Sequence, residues 1–293
     1  MAARTKKLTL AILVACVASL YGSPIAHAQA PAKRVVSLVP ALTEMLFAVG
    51  AGPQVAGVSS YDDFPPAAKA VPRVGALLDP DVERILSLRP DLVITYGSQT
   101  GLEAQLARAG IRVFSYRHGG IASILQTLRE IARVTGHTAE GDRQAREIEG
   151  RLDAIRARVK GQPRPRTLLV FGRQPRTLQQ MYVTGGQGFL NEMLDIAGGV
   201  NVFADIRRES VQPSHEILLV RAPEVIVELR ATDMSAAAEQ KEEKAAWSTL
   251  PSIPAVRNGR IHMLNGDYLV VPGPRIAAAA ETLASALHPD AFR

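Results

Sequence analysis

The sequence predicts an α/β protein: two Rossmann-like lobes with mostly parallel sheets, joined by one long α-helix. Three observations predict it. Strand-like and helix-like segments alternate along nearly the whole chain. The stretch "DVERILSLRPDLVI" at 81–94 reappears in altered form as "SHEILLVRAPEVIV" at 214–227. Between the copies the alternation stops, and from Thr138 to Lys160 only a helical repeat remains.

Aligned on Glu83 and Glu216, both copies carry a proline seven positions later, Pro90 and Pro223. An acid follows, Asp91 or Glu224, and then a short apolar run. In the first copy Val82, Ile85, Leu86 and Leu88 make a helical stripe, the proline ends the helix, and "LVI" suits a strand buried on both faces. Such a unit is half of a βαβ crossover, so its second copy implies a second lobe of the same kind. The plainer alternative is that helix, proline, acid and strand form a common connector in α/β proteins.

The remaining elements follow in order. "RVVSLVP" from Arg34 reads as a strand, "ALTEMLFAVGAG" as a helix stopped by Gly50 and Gly52, "QVAGVS" as a second strand and "SSYDDFPPAA" as loop. After the first repeat come a helix over 100–109, the strand "IRVFSY" and a helix over 121–135. In the long helix Ala145, Ile148, Leu152, Ile155 and Val159 recur at three- and four-residue intervals among charged residues. Some 22 residues would span about 33 Å, and "GQPRPR" stops the run. The alternation then resumes with the strand "TLLVFG", the helix "GFLNEMLDIAGG", the second repeat with its strand "EVIVEL", a helix near 236–247, the strand "RIHML" and a last helix from about Pro274 to Leu287. The expected division is an N-terminal lobe over 31–136, a linking helix over 137–161 and a C-terminal lobe over 162–293.

Composition excludes some classes of function. The formal charge is +6, but Arg4, Lys6 and Lys7 stand in the first 30 residues, which hold no acid, and without them +3 remains. That surplus is too small to argue for nucleic acid. Residues 1–28 read as a signal peptide: a basic head, an apolar run from Leu8 to Leu20, the helix breakers Gly22 and Pro24, and small residues before cleavage after Ala28 or Ala30. The run is short for a membrane span. "LVAC" at 13–16 also resembles a lipoprotein box that would leave Cys16 lipidated. Cys16 is the single cysteine, so disulfides, CxxC redox chemistry and thiolate metal sites are excluded from the exported part.

The segments "RVVSLVPALTEMLFAVGAG", "VAGVSSYDDFPP", "DVERILSLRPDLVI", "GGQGFLNEMLDIAGGVNVF", "HEILLVRAPEVIV" and "PGPRI", in this order, resemble the periplasmic substrate-binding proteins of ABC importers that carry cobalamin, ferric siderophores or haem. The resemblance covers essentially the whole chain after the export segment. It implies a periplasmic protein, a monomer, that captures a metal chelate between two lobes and delivers it to a membrane permease and its ATPase. It implies no intrinsic cofactor; the cargo would be cobalamin or a ferric chelate. In that family the glutamate of each repeated helix is read by arginines of the permease, and Glu83 and Glu216 match those positions. One acid on each lobe, held apart by a stiff helix, suits two-point docking. Either could instead be a solvated acid in a first helical turn.

A ligand between two such lobes belongs outside the carboxyl ends of the strands. Tyr61, Tyr96, Tyr182 and Tyr268 fall in or beside loops there. The resemblance matches Tyr61, Tyr96 and Tyr268 to aromatic positions of cobalamin binders, where flat rings cover a rigid apolar ligand. Leu77 stands where those binders carry tryptophan, and Trp247 lies on a helix away from the expected cleft. Among Arg117, Arg173, Arg207, Arg208 and Arg230, which lie in or near loops, Arg117 and Arg173 are the candidates to grip an anionic group of the ligand. Ala76 stands where haem carriers place a tyrosine, which argues against axial haem ligation by that route. His118, His137, His215, His262 and His288 show no paired HxH or HxxxH spacing. A haem or bare-metal-ion binder of the same fold is the first alternative and an exported α/β enzyme the second. For the enzyme no G-x-S-x-G, Walker or zinc-protease motif speaks, and "TGGQG" at 184–188 lacks the lysine and hydroxyl residue of a phosphate loop.

Overall fold

Two separate sheets lie on either side of one long helix in the chain. The computed structural model describes residues 30–231 and 237–293, so the signal peptide expected at 1–28 and Cys16 fall outside the described residues. The first sheet has the strand order β2-β1-β3-β4 and is parallel throughout. Its strands are β1 (Val35–Ser37), β2 (Val55–Val58), β3 (Leu92–Tyr96) and β4 (Arg112–Tyr116). Helices α1 (Pro40–Ala48), α2 (Val82–Ser87), α3 (Thr100–Arg108) and α4 (Ile121–Thr135) accompany them.

Helix α5 runs unbroken over Thr138–Val159. The stripe read from the sequence is its buried face, with Ala145, Ile148, Leu152, Ile155 and Val159 all inside. It packs on α4 and on α10 (Ile276–Leu287). A Cβ at Gly141 would come 2.3 Å from that of Ala132, so glycine permits the close approach of α4 and α5. The apolar stripe, more than helix propensity, holds this helix: each buried Leu or Ile contributes about 1.5–3 kcal/mol.

The second sheet has the order β10-β9-β5-β6-β8, with β7 also on β5. Strands β5 (Arg166–Gly172), β9 (Val225–Arg230) and β10 (Ile261–Asn265) are parallel, as is β7 (Val200–Asn201) on β5. Strands β6 (Tyr182–Thr184) and β8 (Ser210–Val211) run antiparallel. Helices α6 (Phe189–Ile196), α7 (His215–Arg221), α8 (Ala237–Ala245) and the single turn α9 (Pro254–Arg257) complete this half. The short strands β6, β7 and β8 carry no readable period, and the sequence does not predict them.

The duplication extends to hydrogen bonds. Asp81 caps α2 through the N–H of Arg84 at 2.8 Å, and Ser214 caps α7 through that of Ile217. Arg89 and Ala222, each six residues after the repeated glutamate, both adopt positive φ, 46° and 44°. The acid after the proline ties the unit to its sheet. Asp91 accepts the N–H groups of Lys33 and Arg34 at 2.8 and 3.1 Å, and Glu224 accepts that of Arg166 at 2.9 Å. Arg34 and Arg166 donate in turn to the helix-end carbonyls of Leu88 and Arg221. The two halves are one design used twice.

Candidate functional site

Parallel strands send their carboxyl ends to one edge, so each lobe gathers its functional loops there. In the first sheet Tyr96 and Tyr116 are the last residues of β3 and β4 and stand in register. Their rings lie 5.7 Å apart, and His118 sits 5.2 and 5.3 Å from them. The Tyr96 hydroxyl and His118 Nε2 are 3.0 Å apart. Burial pushes both phenols up, far up for Tyr116, so they remain neutral hydrogen-bonding groups at physiological pH. Burial also lowers the pKa of His118, against an upward pull from Glu209.

Opposite stands the second lobe. His118 lines a cavity of about 320 Å³ together with Phe171, Phe189, Leu190, Glu209 and Val270. Because His118 belongs to one lobe and the others to the second, this cavity is the cleft between them. Tyr182 pairs with Gly172 at the carboxyl end of β5, and its ring stacks 6.2 Å from Phe171. Tyr96 and Tyr182 are therefore each one ring away from the cavity. A hollow of about 600 Å³ elsewhere, between α5, α6 and β7, has its arginines Arg156 and Arg164 paired to Asp153 and Asp195.

Tyr61 is 73% exposed in the loop after β2, and Phe64, Leu77 and Leu78 of the same lobe are exposed as well. Tyr96 N–H donates to Gln99, whose amide donates to the Leu77 carbonyl, so the loop bearing Leu77 is tied to the end of β3. Tyr268 is half-buried, with its hydroxyl 3.1 Å from that of Thr282. Arg117 is exposed beside Gly97 and has no carboxylate partner among the described residues.

Arg173 differs from the expectation. Its side chain is fully buried and meets Glu228 at 3.0 Å and Glu243 at 2.8 Å. Further donors go to the carbonyls of Gln174, Thr177 and Glu243, leaving no free edge for a ligand. Arg230 and the indole N–H of Trp247 complete this network on Glu228. A strand-end arginine with acids on the neighbouring strand and helix is drawn inward, since a buried charge must be paired. Trp247 is likewise a core residue, fully buried.

The residues missed by the sequence reading are Tyr116, His118, Phe171, Phe189 and Glu209. Tyr116 had a readable signal, because "LVITY" and "RVFSY" both end in tyrosine. Glu209 reaches the cleft through β6 and β8, for which there was none.

Glu83 and Glu216 are exposed in the first turns of α2 and α7. Both helices end at the amino edge of their sheets, where Asp91 and Glu224 bind, so both direct their N-termini toward the carboxyl edge that bears the cleft. The Ser214 hydroxyl lowers the pKa of Glu216, which remains charged. Beside it α7 exposes Ile217, Leu219 and Val220, where α2 has Arg84, Leu86 and Ser87.

Residues 35–268 match the periplasmic binding protein family. The chain belongs to that family. A vitamin B12-binding protein of Yersinia pestis is 33% identical over 256 residues, which cover 86% of this chain and 85% of that one. Among solved structures, the periplasmic vitamin B12 binding protein of Vibrio cholerae has a TM-score of 0.74 at 27% identity, covering 90% of this chain and 99% of its own. A periplasmic heme-binding protein of a Roseiflexus species has a TM-score of 0.73 at 28% identity over 88% and 99%. Membership of the family makes this periplasmic binding protein a solute binder that works with an ABC importer. Among the described residues no three His, Cys, Asp or Glu side chains are grouped to hold a metal ion.

Proposed function

We propose that this protein captures a metal chelate, a corrinoid such as cobalamin before other chelates, in the cleft between its lobes and presents it to an importer permease. The observation that carries the reading is the set of aromatic residues on the facing carboxyl edges: Tyr61, Tyr96 and Tyr116 on one side, Phe171, Tyr182 and Tyr268 on the other. Rigid rings cover a large flat ligand with little loss of side-chain freedom. The likeness to B12-binding relatives supports the same choice. Arg117 is the candidate partner for an anionic group on the ligand. Glu83 and Glu216 are the candidate docking acids, on the side of the molecule where the cleft opens. Residues 1–28 act as the export signal, with cleavage after Ala28 or Ala30 and Cys16 removed with them, and the protein works as a monomer without enzymatic turnover.

Haem is the second reading, supported by the heme-binding structural neighbour and by the His118 imidazole at the cleft. Ala76, buried rather than an exposed tyrosine, speaks against the usual axial ligand. Mixing the purified protein with cyanocobalamin, ferric hydroxamate, ferric catecholate or haemin and then removing free ligand by gel filtration separates the readings. Retention of cyanocobalamin absorbance with the protein supports the corrinoid; retention of haemin alone favours the second reading; retention of none rejects both.

A further inference from the structure

Pro272-Gly273-Pro274-Arg275 brings the C-terminal half back against the N-terminal lobe. A Cβ at Gly273 would stand 3.4 Å from Glu44 Oε2 and 3.5 Å from the Ala41 carbonyl oxygen, so this segment rests on α1. Arg275 donates to Glu44 from Nε at 2.9 Å and from Nη2 at 2.6 Å. It also donates to Asp267 from Nη1 at 2.9 Å and Nη2 at 2.8 Å. The Glu44 side chain is 4% exposed and that of Arg275 19%, so the interlobe end of the bridge is largely shielded from water, while Asp267 sits half exposed at its outer end. The Phe64 ring lies against the guanidinium, 3.9 Å from its carbon to the ring centroid, and the Tyr268 ring is 5.7 Å away. One guanidinium therefore holds Glu44 and Phe64 of one lobe and Asp267 and Tyr268 of the other. A planar fork makes this possible, whereas an ammonium would be a point charge for one carboxylate at a time.

We propose that Arg275 is the positioning residue of ligand capture: it fixes the separation of the lobes at the cleft and aims Phe64 and Tyr268 from its two rims. The proposal rests on the cleft being the chelate site. Helix α5 joins the lobes through apolar packing; Arg275 joins them at the carboxyl-edge loops, five residues after the cleft-lining Val270. A residue that only added stability would leave cleft width and ligand kinetics unchanged in the folded protein.

The test uses spin labels on Arg108→Cys and Arg257→Cys, exposed positions on opposite lobes and outside the cleft, with the interlobe distance read by pulsed electron resonance in ligand-free protein. With Arg275 in place a single narrow distance is expected; Arg275→Met broadens it, and Arg275→Lys gives an intermediate width. Cyanocobalamin, or haemin if that is what binds, should leave Arg275→Met roughly ten-fold faster or more. Phe64→Ala added to that variant should cost less than the two single losses combined, because both act through one contact. An unchanged distance distribution, or fully additive losses, would overturn the proposal whatever happens to the unfolding temperature. Glu44→Gln, which keeps the shape of the bridge but removes the interlobe charge pair, carries the same readouts if Arg275→Met does not fold. Should the protein bind neither probe, the chelate reading fails while the distance measurement still decides the role of Arg275.

Discussion

Glu224 accepts the backbone N–H of Arg166 at 2.9 Å, the contact that Asp91 makes with Arg34 at 3.1 Å in the other half of the chain. The acid after each proline thus fastens a helix–strand unit to the first strand of its sheet, more than fifty residues away in sequence. Charge-assisted bonds of this kind, partly exposed, contribute about 1–2 kcal/mol. Asp91→Ala and Glu224→Ala should each lower the urea unfolding free energy by about that amount. A loss at one site only would mean that the two contacts are not equivalent.

The Arg173 network should show a larger effect. Glu228→Gln preserves shape but leaves Arg173 and Arg230 short of one negative charge in a dry interior, at a cost of roughly 3–5 kcal/mol. Thermal unfolding should detect this as a fall in midpoint. A neutral result would mean that water or local rearrangement compensates the arginines.

Acid should destabilise the protein through His262 and His288, with His118 acting in the same direction. Burial holds the pKa values of His262 and His288 below their ordinary 6.5. Their folded-state values are the lower ones, so the unfolded chain takes up protons first as the pH falls. Their contribution is fully present above about pH 6.5 and is lost as the pH drops through the folded values. Nuclear magnetic resonance titration should place both imidazoles below 6.5, and His262→Gln should flatten the acid limb of stability against pH. Titration of both at or above 6.5 would contradict this account.

Docking is expected to separate from binding. Glu83→Lys with Glu216→Lys should abolish stimulation of the importer's ATPase while ligand affinity changes less than about two-fold, because neither side chain lies in the cleft. Each single reversal should be weaker, and the effect should shrink at high salt for the Glu83 shoulder more than for the Glu216 shoulder, where Ile217 and Val220 add apolar contact. Unchanged stimulation by the doubly reversed protein would remove both glutamates from the interface.

The fold was legible wherever burial has a period. The α5 stripe, the parallel strands and the two helix–proline–acid units all depend on local pattern and were read within a few residues. Strands β6 and β8 were not, because two or three residues added antiparallel at a sheet edge leave no repeat. Of the expected ligand-binding residues, Tyr96 and Tyr182 stand one ring from the cavity of the candidate site, and Tyr61 and Tyr268 follow the carboxyl ends of β2 and β10. Arg173 misled because an arginine at a strand end looks the same whether it faces ligand or core; the deciding residues, Glu228 and Glu243, lie 55 and 70 positions away. The bridge from Arg275 to Glu44 spans 231 positions, and although both residues lie in segments that carry the family resemblance, no local period pairs them.

The most direct measurement is a calorimetric titration of the purified protein with cyanocobalamin, repeated on Tyr96→Ala and Tyr182→Ala. The account predicts one site per chain and a loss of roughly ten-fold or more in affinity for each variant, since each removes the ring that backs a cleft-lining side chain, His118 for Tyr96 and Phe171 for Tyr182. Binding that is equally tight in both variants, or stoichiometry other than one per chain, would contradict it.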